Sequence, residues 1–184
     1  GLIIEKNREP KSHLEEYISI LDLSRRFQWA FMLYVPYQNL GIGTENTVNI
    51  WLSNISPLWE ENMDLGDNDL AALMAILIGR NWKNARVNLI SLIHKNTTEA
   101  KLKRLHMLQE IGEIARMPKN THYYAIHKTA VDSETVWDKA PVADLNIISF
   151  DFIEHNISLA KEISQTLNCS CLFTLDSNQE NVLV

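Results

Sequence analysis

An unbroken run of nine apolar residues constrains the fold of this chain more than any other feature. Residues 70–78, LAALMAILI, lie between an acidic segment and the apolar stretch ARVNLISLI. A helix that lies on a sheet with its back to water needs only one apolar stripe. We therefore expect a second layer over this helix, either another helix of the chain or a partner subunit. The candidate buried interface helix comprises Leu70, Leu73, Met74, Leu77 and Ile78.

The apolar run is too short for a membrane span, which needs about 20 apolar residues. Asp67, Asp69 and Arg80 bracket it closely, and the N-terminus lacks the basic-then-apolar order of a secretory signal. We expect the chain as given to be soluble. Because it opens with Gly1 instead of Met, we also expect either a piece of something longer or a residue left by cloning.

Length and charge narrow the class of protein. A chain of 184 residues with 46% hydrophobic content suits one α/β domain, or one domain plus part of a neighbour. A formal net charge of -6 argues against a nucleic-acid partner, which requires clustered Lys and Arg. Cys169 and Cys171 fall on one face of a predicted strand, where they cannot readily form a disulfide with each other, so we expect reduced core residues.

Strands and helices alternate from residue 47 onward. Strands are predicted at 47–52, 86–93, 122–127, 143–150 and 169–175, and helices at 67–80, 97–116 and 152–167. This order predicts an α/β fold with three layers: a doubly wound, mainly parallel, five-stranded sheet between helices. A helix and a strand at 29–35 come first, followed by a turn-rich stretch. We therefore interpret residues 1–44 as the tail and linker of a preceding α/β subdomain, and 45–184 as the domain itself.

No pattern in the sequence commits the chain to catalysis or to a cofactor. None of its six glycines follows Gly112, so the predicted strand at 143–150 is followed by bulky and acidic residues, DFIEHN, instead of a phosphate-binding loop. The acidic segment around Asp67 lacks the spacing of a calcium loop and fits helix capping by Asp67 or Asn68. The six histidines form no metal-binding pair. We predict no catalytic, cofactor-binding or metal site.

One long segment resembles a known family. WLSNISPLWEENMDLGDNDLAALMAILIGRNWKNARVNLISLI is similar to the cytoplasmic C-terminal domain of the cation-chloride (Na-K-Cl) cotransporter family, and ADLNIISF resembles that family's alanine-aspartate strand. The opening LEEYISILDLSRRFQWAFMLYV is similar to the close of the preceding subdomain. The match is carried by Gly66, Asp67, Asn68, Leu70, Ala71, Leu73, Ile76, Leu77, Trp82, Ala85, Arg86, Val87 and Leu89.

The resemblance implies a fold like that of universal stress proteins. It further implies a non-catalytic domain at the cytoplasmic face of the membrane that contributes to homodimerisation and regulation of ion transport, with a second copy and the transporter's own membrane domain as partners. Universal stress proteins bind ATP through glycines after the fourth strand, and this chain lacks them. Two alternatives stay open, a free-standing nucleotide-binding module of that kind and a degenerate enzyme that uses Asp151 or His155.

Overall fold

The computed structural model describes residues 10–38, 41–55, 65–83, 85–128 and 134–183. Helices in this part of the chain are α1 (Pro10–Phe27), α2 (Asp69–Asn81), α3 (Thr98–Ile114), α4 (Glu134–Trp137) and α5 (Ser158–Thr166). Strands are β1 (Phe31–Val35), β2 (Thr47–Leu52), β3 (Arg86–Ile93), β4 (Thr121–His127), β5 (Leu145–Ser149) and β6 (Ser170–Leu175). A single 3-10 turn, Phe150–Ile153, follows β5.

The strands form one sheet in the order β1-β6-β5-β2-β3-β4. All neighbouring pairs except β1 and β6 are parallel. The parallel part begins at its centre with β2 and extends to one side through β3 and β4. The chain then crosses back, and β5 and β6 extend the sheet on the other side of β2. The predicted fold class, a doubly wound and mainly parallel α/β sheet with helices on both faces, is therefore confirmed.

Each face of the sheet has its own apolar core. On one face, α2 and α3 pack over β2, β3 and β5 in a cluster that includes Ala72, Leu108 and Ile147. On the other face, α1 and α5 contribute Leu21 and Ile163 to a cluster around the fully buried residues of the same strands. Because both faces are covered, the central strands lose polar alternation, as expected for a parallel sheet.

The sheet has six strands instead of the predicted five. The extra strand is β1, which runs antiparallel to β6 with Phe31 opposite Leu175 and Val35 opposite Cys171. The prediction of five strands was wrong because the pairing of β1 joins segments about 140 residues apart, and no local pattern reports such a contact. The division into residues 1–44 and 45–184 stays a prediction.

The predicted continuous helix at 152–167 is also broken in two. After the 3-10 turn, Glu154 and His155 adopt left-handed conformations with φ of 50° and 58°. The backbone nitrogen of His155 then donates to the oxygen of Phe150 at 2.8 Å, which ends the turn before α5 begins. Non-glycine residues rarely adopt this conformation, so sequence periodicity did not predict the break. Among the helices described, none is long and apolar enough to cross a membrane.

Candidate functional site

Small residues line the inner face of helix α2, where it packs on the sheet. Ala71, Ala72 and Ala75 are completely buried. A Cβ atom added at Gly79 would lie 3.0 Å from side-chain atoms of both Val87 and Pro118. The alanines of the run therefore pack against the central strands in one buried cluster, and Gly79, just after the run, lies against β3.

The outer face of α2 carries the five residues of the candidate interface helix. Leu70 is buried, with 8% of its surface exposed, whereas Leu77 is 51% exposed. Leu73, Met74 and Ile78 are half-buried and pack at the margin of the core. Within the described residues, the outer face is thus covered at the N-terminal end of the helix and open around Leu77.

The cover at the N-terminal end is the C-terminal tail of the chain, which sequence reasoning did not predict. Val182 and Leu183 are buried in the same cluster as α2. The carboxylate of Asp69 accepts a hydrogen bond from the backbone nitrogen of Val182 at 2.6 Å. The carboxylate of Asp176 accepts from the backbone nitrogen of Leu70 at 3.1 Å. The N-terminal end of α2 and the C-terminal tail therefore each provide a carboxylate that accepts a hydrogen bond from a backbone amide of the other.

Asp176 has an unusually high pKa for an aspartate. Burial raises its pKa to about 7, against the opposing effect of the hydrogen bond from Leu70, and the negative charges of Glu180, Asp69 and Asp67 raise it further. The side chain therefore titrates near neutral pH, instead of near its ordinary value of about 3.9.

The sequence predicted a side-chain cap by Asp67 or Asn68, and for Asn68 this was wrong. Asn68 occupies the N-cap position of α2, but its side chain makes no capping hydrogen bond. It accepts instead from the backbone nitrogen of Ser53 at 2.9 Å and donates to the backbone oxygen of Leu65 at 2.7 Å. Asp176 caps the helix from a distant part of the chain, and Asn68 fastens the loop before α2 to the end of β2.

The carboxyl edge of the sheet is where an open parallel sheet usually binds ligands. The turn after β5 is filled by the 3-10 residues Phe150–Ile153. Asp151 in that turn accepts a 2.6 Å hydrogen bond from the Asn54 side chain and lies 3.9 Å from Nε2 of His155. A cleft of about 330 Å³ remains beside it, between the ends of β2 and β3, α3 and this turn.

Arg104 of α3 reaches into the lining of this cleft. Its guanidinium is half-buried, and its described hydrogen bonds are long: 3.5 Å to the hydroxyl of Ser91 and 3.8 Å to the sulfur of Met107. Burial lowers the pKa of Arg104. Within the described residues, no carboxylate lies at ion-pair distance from it.

Three buried asparagines form a ladder across the sheet that the sequence analysis missed. Asn88 donates to Asn49 at 2.8 Å, and Asn49 donates to Asn146 at 3.1 Å, from three adjacent strands. The indole of Trp51 also donates to Asn146 at 2.9 Å. The signal was present, because β2, β3 and the segment around β5 share the pattern of Val or Leu, then Asn, then Ile or Leu, in TVNI, RVNL and DLNI.

Asp144, in the alanine-aspartate motif before β5, fastens the loop that leads into β2. Its carboxylate accepts from the backbone nitrogens of Thr44, Asn46 and Thr47 at 2.8 to 3.0 Å. Burial alone would raise the pKa of this carboxyl, but these hydrogen bonds and one from the Thr44 hydroxyl outweigh it and lower the pKa. The motif thus has a structural role at the amino edge of the sheet.

The two cysteines are buried and free, as predicted. Burial raises the pKa of Cys169 to about 11 and also raises that of Cys171, so both thiols stay protonated at neutral pH. In the described ranges, no cluster of three or more His, Cys, Asp or Glu side chains is placed to hold a metal ion.

The sequence of the domain matches a known family over most of its length. A family model described as the second C-terminal domain of prokaryotic cation-chloride cotransporters matches residues 43–183. The chain belongs to this family. The resemblance carried by the motifs around α2, β3 and β5 is thereby confirmed.

A solved structure is similar to this cotransporter-family chain. It is the crystal structure of the cytoplasmic domain of a prokaryotic cation chloride cotransporter, with 28% sequence identity and a TM-score of 0.76. The match covers 97% of this chain and 64% of that one, so the chain spans about two thirds of the cytoplasmic domain it resembles. Comparison with curated proteins gave no match.

Proposed function

We propose that this cotransporter-family domain acts at the cytoplasmic face of the membrane as the regulatory and dimerisation domain of a cation-chloride cotransporter. In this proposal the domain is itself non-catalytic. Ion transport by secondary active symport belongs to the membrane part of the protein. The partners are a second copy of the domain and the transporter's own membrane domain.

The observation that carries the proposal is the open outer face of α2. This helix consists largely of an unbroken apolar run, and among the described residues the C-terminal tail covers its N-terminal end but not the surface around Leu77. Leu77 remains 51% exposed beside the half-buried Leu73 and Met74. Burial of apolar surface is worth about 25 cal/mol per Å². A second copy packed on this patch would recover that free energy.

The regulatory step proposed is a population shift. Pairing of two domains favours those transporter conformations that keep the two α2 helices close, so any input that changes pairing changes the rate of transport. The alternative of a free-standing nucleotide-binding module of the universal-stress type receives no support from the turn after β5, because bulky side chains occupy it.

The test compares two Leu-to-Lys substitutions by sedimentation equilibrium. Leu77→Lys places a charge on the open face of α2, and Leu102→Lys places one at a 61% exposed position of α3. We expect the wild-type chain and Leu102→Lys to dimerise alike. Leu77→Lys should weaken dimerisation by about tenfold or more, since each 1.4 kcal/mol is a factor of ten.

The regulatory role is tested with the full-length transporter in proteoliposomes. Chloride-dependent cation uptake should change when the domain is deleted and, in the same direction, when Leu77→Lys is introduced. A full-length transporter that stays equally dimeric and equally active after deletion of the domain would refute the proposal.

A further inference from the structure

We propose that the cleft at the carboxyl edge of the sheet binds the oxyanion group of a small molecule, a phosphoryl or a carboxylate, with Arg104 as the principal anion-binding residue. The cleft lies between the ends of β2 and β3, helix α3 and the 3-10 turn after β5. Neither the apolar face of α2 nor self-association enters this inference.

The first support is that the described residues offer Arg104 only two long hydrogen bonds. A guanidinium carries five N–H donors in a planar fork. The two contacts of Arg104 with Ser91 and Met107, at 3.5 Å and 3.8 Å, lie at the outer limit of hydrogen bonding. Partly buried donors without good acceptors cost free energy, and a bidentate oxyanion is the group that best satisfies a guanidinium.

The second support is the distribution of charge around the cleft. Arg104, Lys128 and His94 line it on the side of α3, β3 and β4, and Asp151 and Glu154 line it on the side of the 3-10 turn. Asp151 already accepts a hydrogen bond from the Asn54 amide at 2.6 Å and faces His155 at 3.9 Å. Asp151 therefore has protein partners, whereas no carboxylate among the described residues forms an ion pair with Arg104 or Lys128.

The size of the cleft limits the ligand. A volume of about 330 Å³ is at the lower end of the range of small-molecule sites, about 300–1,000 Å³. The polar residues Ser53, Asn54 and Ser91 line the same space. Glu154 is exposed at the rim and would repel an anion, which lowers affinity without closing the site.

The test titrates the full chain with inorganic phosphate and, separately, with sodium acetate at constant ionic strength. Isothermal calorimetry and backbone amide NMR shifts report binding. We expect saturable binding in the millimolar range, with shifts concentrated at Ser91 and at the end of β4. Tighter binding of phosphate than of acetate assigns a phosphoryl ligand, and the reverse order assigns a carboxylate.

Charge substitutions make the test specific to the cleft. Arg104→Gln should weaken binding by about tenfold or more, and Lys128→Gln by a few-fold, since charge-assisted hydrogen bonds are about twice as strong as neutral ones. Arg86→Gln, an exposed position at the opposite end of β3, is the matched control and should stay within about twofold of wild type. Glu154→Gln should strengthen binding.

The proposal is overturned if neither anion binds saturably to the wild-type chain, or if Arg104→Gln and Arg86→Gln bind with equal affinity. Should Arg104→Gln fail to fold, the exposed positions Lys128 and Glu154 still decide the question. Their substitutions must change the affinity in opposite directions, and a change in the same direction, or none, refutes the site. Self-association measured with Leu77→Lys is independent of each of these results.

Discussion

The carboxylate of Asp144 accepts a 3.0 Å hydrogen bond from the backbone nitrogen of Thr47, although the two residues are 97 positions apart. Thr47 is the first residue of β2, and Asp144 immediately precedes β5, its parallel neighbour. The bond therefore fixes where the two central strands begin relative to each other. The backbone nitrogens of Thr44 and Asn46 also donate hydrogen bonds to this carboxylate.

Substitution of Asp144 by Ala should lower the free energy of unfolding by about 1–2 kcal/mol, because three backbone amides lose a charged acceptor at a partly exposed site. Urea denaturation at pH 7 measures the loss. Exposed Asp138, replaced by Ala, is the control and should change stability by less than about 0.5 kcal/mol.

The lowered pKa of Asp144 also predicts a pH dependence of this stabilisation. A carboxyl with a folded pKa below its unfolded value of about 3.9 stabilises the fold above that value and loses the contribution as the pH falls through the folded pKa. The difference in stability between wild type and Asp144→Ala should therefore shrink below about pH 4. A constant difference from pH 7 to pH 3 would contradict this explanation.

Asp176 should show the opposite dependence. Its folded pKa of about 7 lies above the unfolded value of about 3.9, so its charged form costs stability that the neutral form does not. Stability should therefore fall as the pH rises from about 4 to 7. Asp176→Asn keeps an acceptor for the Leu70 amide and removes the charge. We therefore expect the free energy of unfolding of this variant to depend less on pH between about 4 and 7, and to exceed that of the wild type by about 1–3 kcal/mol at pH 8.

The asparagine ladder predicts a large cost for truncation of Asn146, the member that also binds Trp51. Asn146→Ala leaves the buried indole of Trp51 without its acceptor, and it removes one of the two acceptors of the Asn49 amide, which keeps its bond to the backbone oxygen of Pro141 at 2.7 Å. We expect a loss of about 2–3 kcal/mol in the free energy of unfolding. The exposed amide Gln109, replaced by Ala, is the control. A loss below about 1 kcal/mol for Asn146→Ala would mean that the ladder adds little to stability.

Gly79 tests the close packing of α2. Ala is a better helix former by about 1 kcal/mol, but its methyl group would meet Val87 and Pro118 at 3.0 Å, and Val87 is completely buried. Overpacking costs about 1–3 kcal/mol, so we expect Gly79→Ala to lose about 1 kcal/mol overall. Thermal unfolding measures it. Arg80→Ala, at the exposed neighbouring position, should be nearly neutral.

Local pattern was enough to predict the central elements of this fold. The bounds predicted for β2 and β3 agree with the structure residue for residue, because continuous apolar runs between turn residues define buried parallel strands. Helix α3 was predicted to within two residues: it begins at Thr98, one residue after the predicted start, and Thr97 is its N-cap, whose side chain accepts from the Ala100 amide.

Long-range contacts explain what the sequence did not predict. The C-terminal tail has no periodicity, so its cover over α2 follows only from contacts between Val182 and Asp69, 113 positions apart. The antiparallel pairing of β1 has the same origin. Arg104 lies on a helix rich in charged residues, and nothing in that pattern separates a half-buried guanidinium from exposed ones.

The asparagine ladder also governs how the sheet is assembled. Asn49 lies directly opposite both Asn88 and Asn146, so the three amides meet at only one alignment of the central strands. A slip of two residues keeps every side chain on its own face, yet it moves the three buried amides out of register with one another. Strands with only apolar side chains would tolerate such a slip. The ladder makes the slipped register unfavourable, so the three central strands pair in one register.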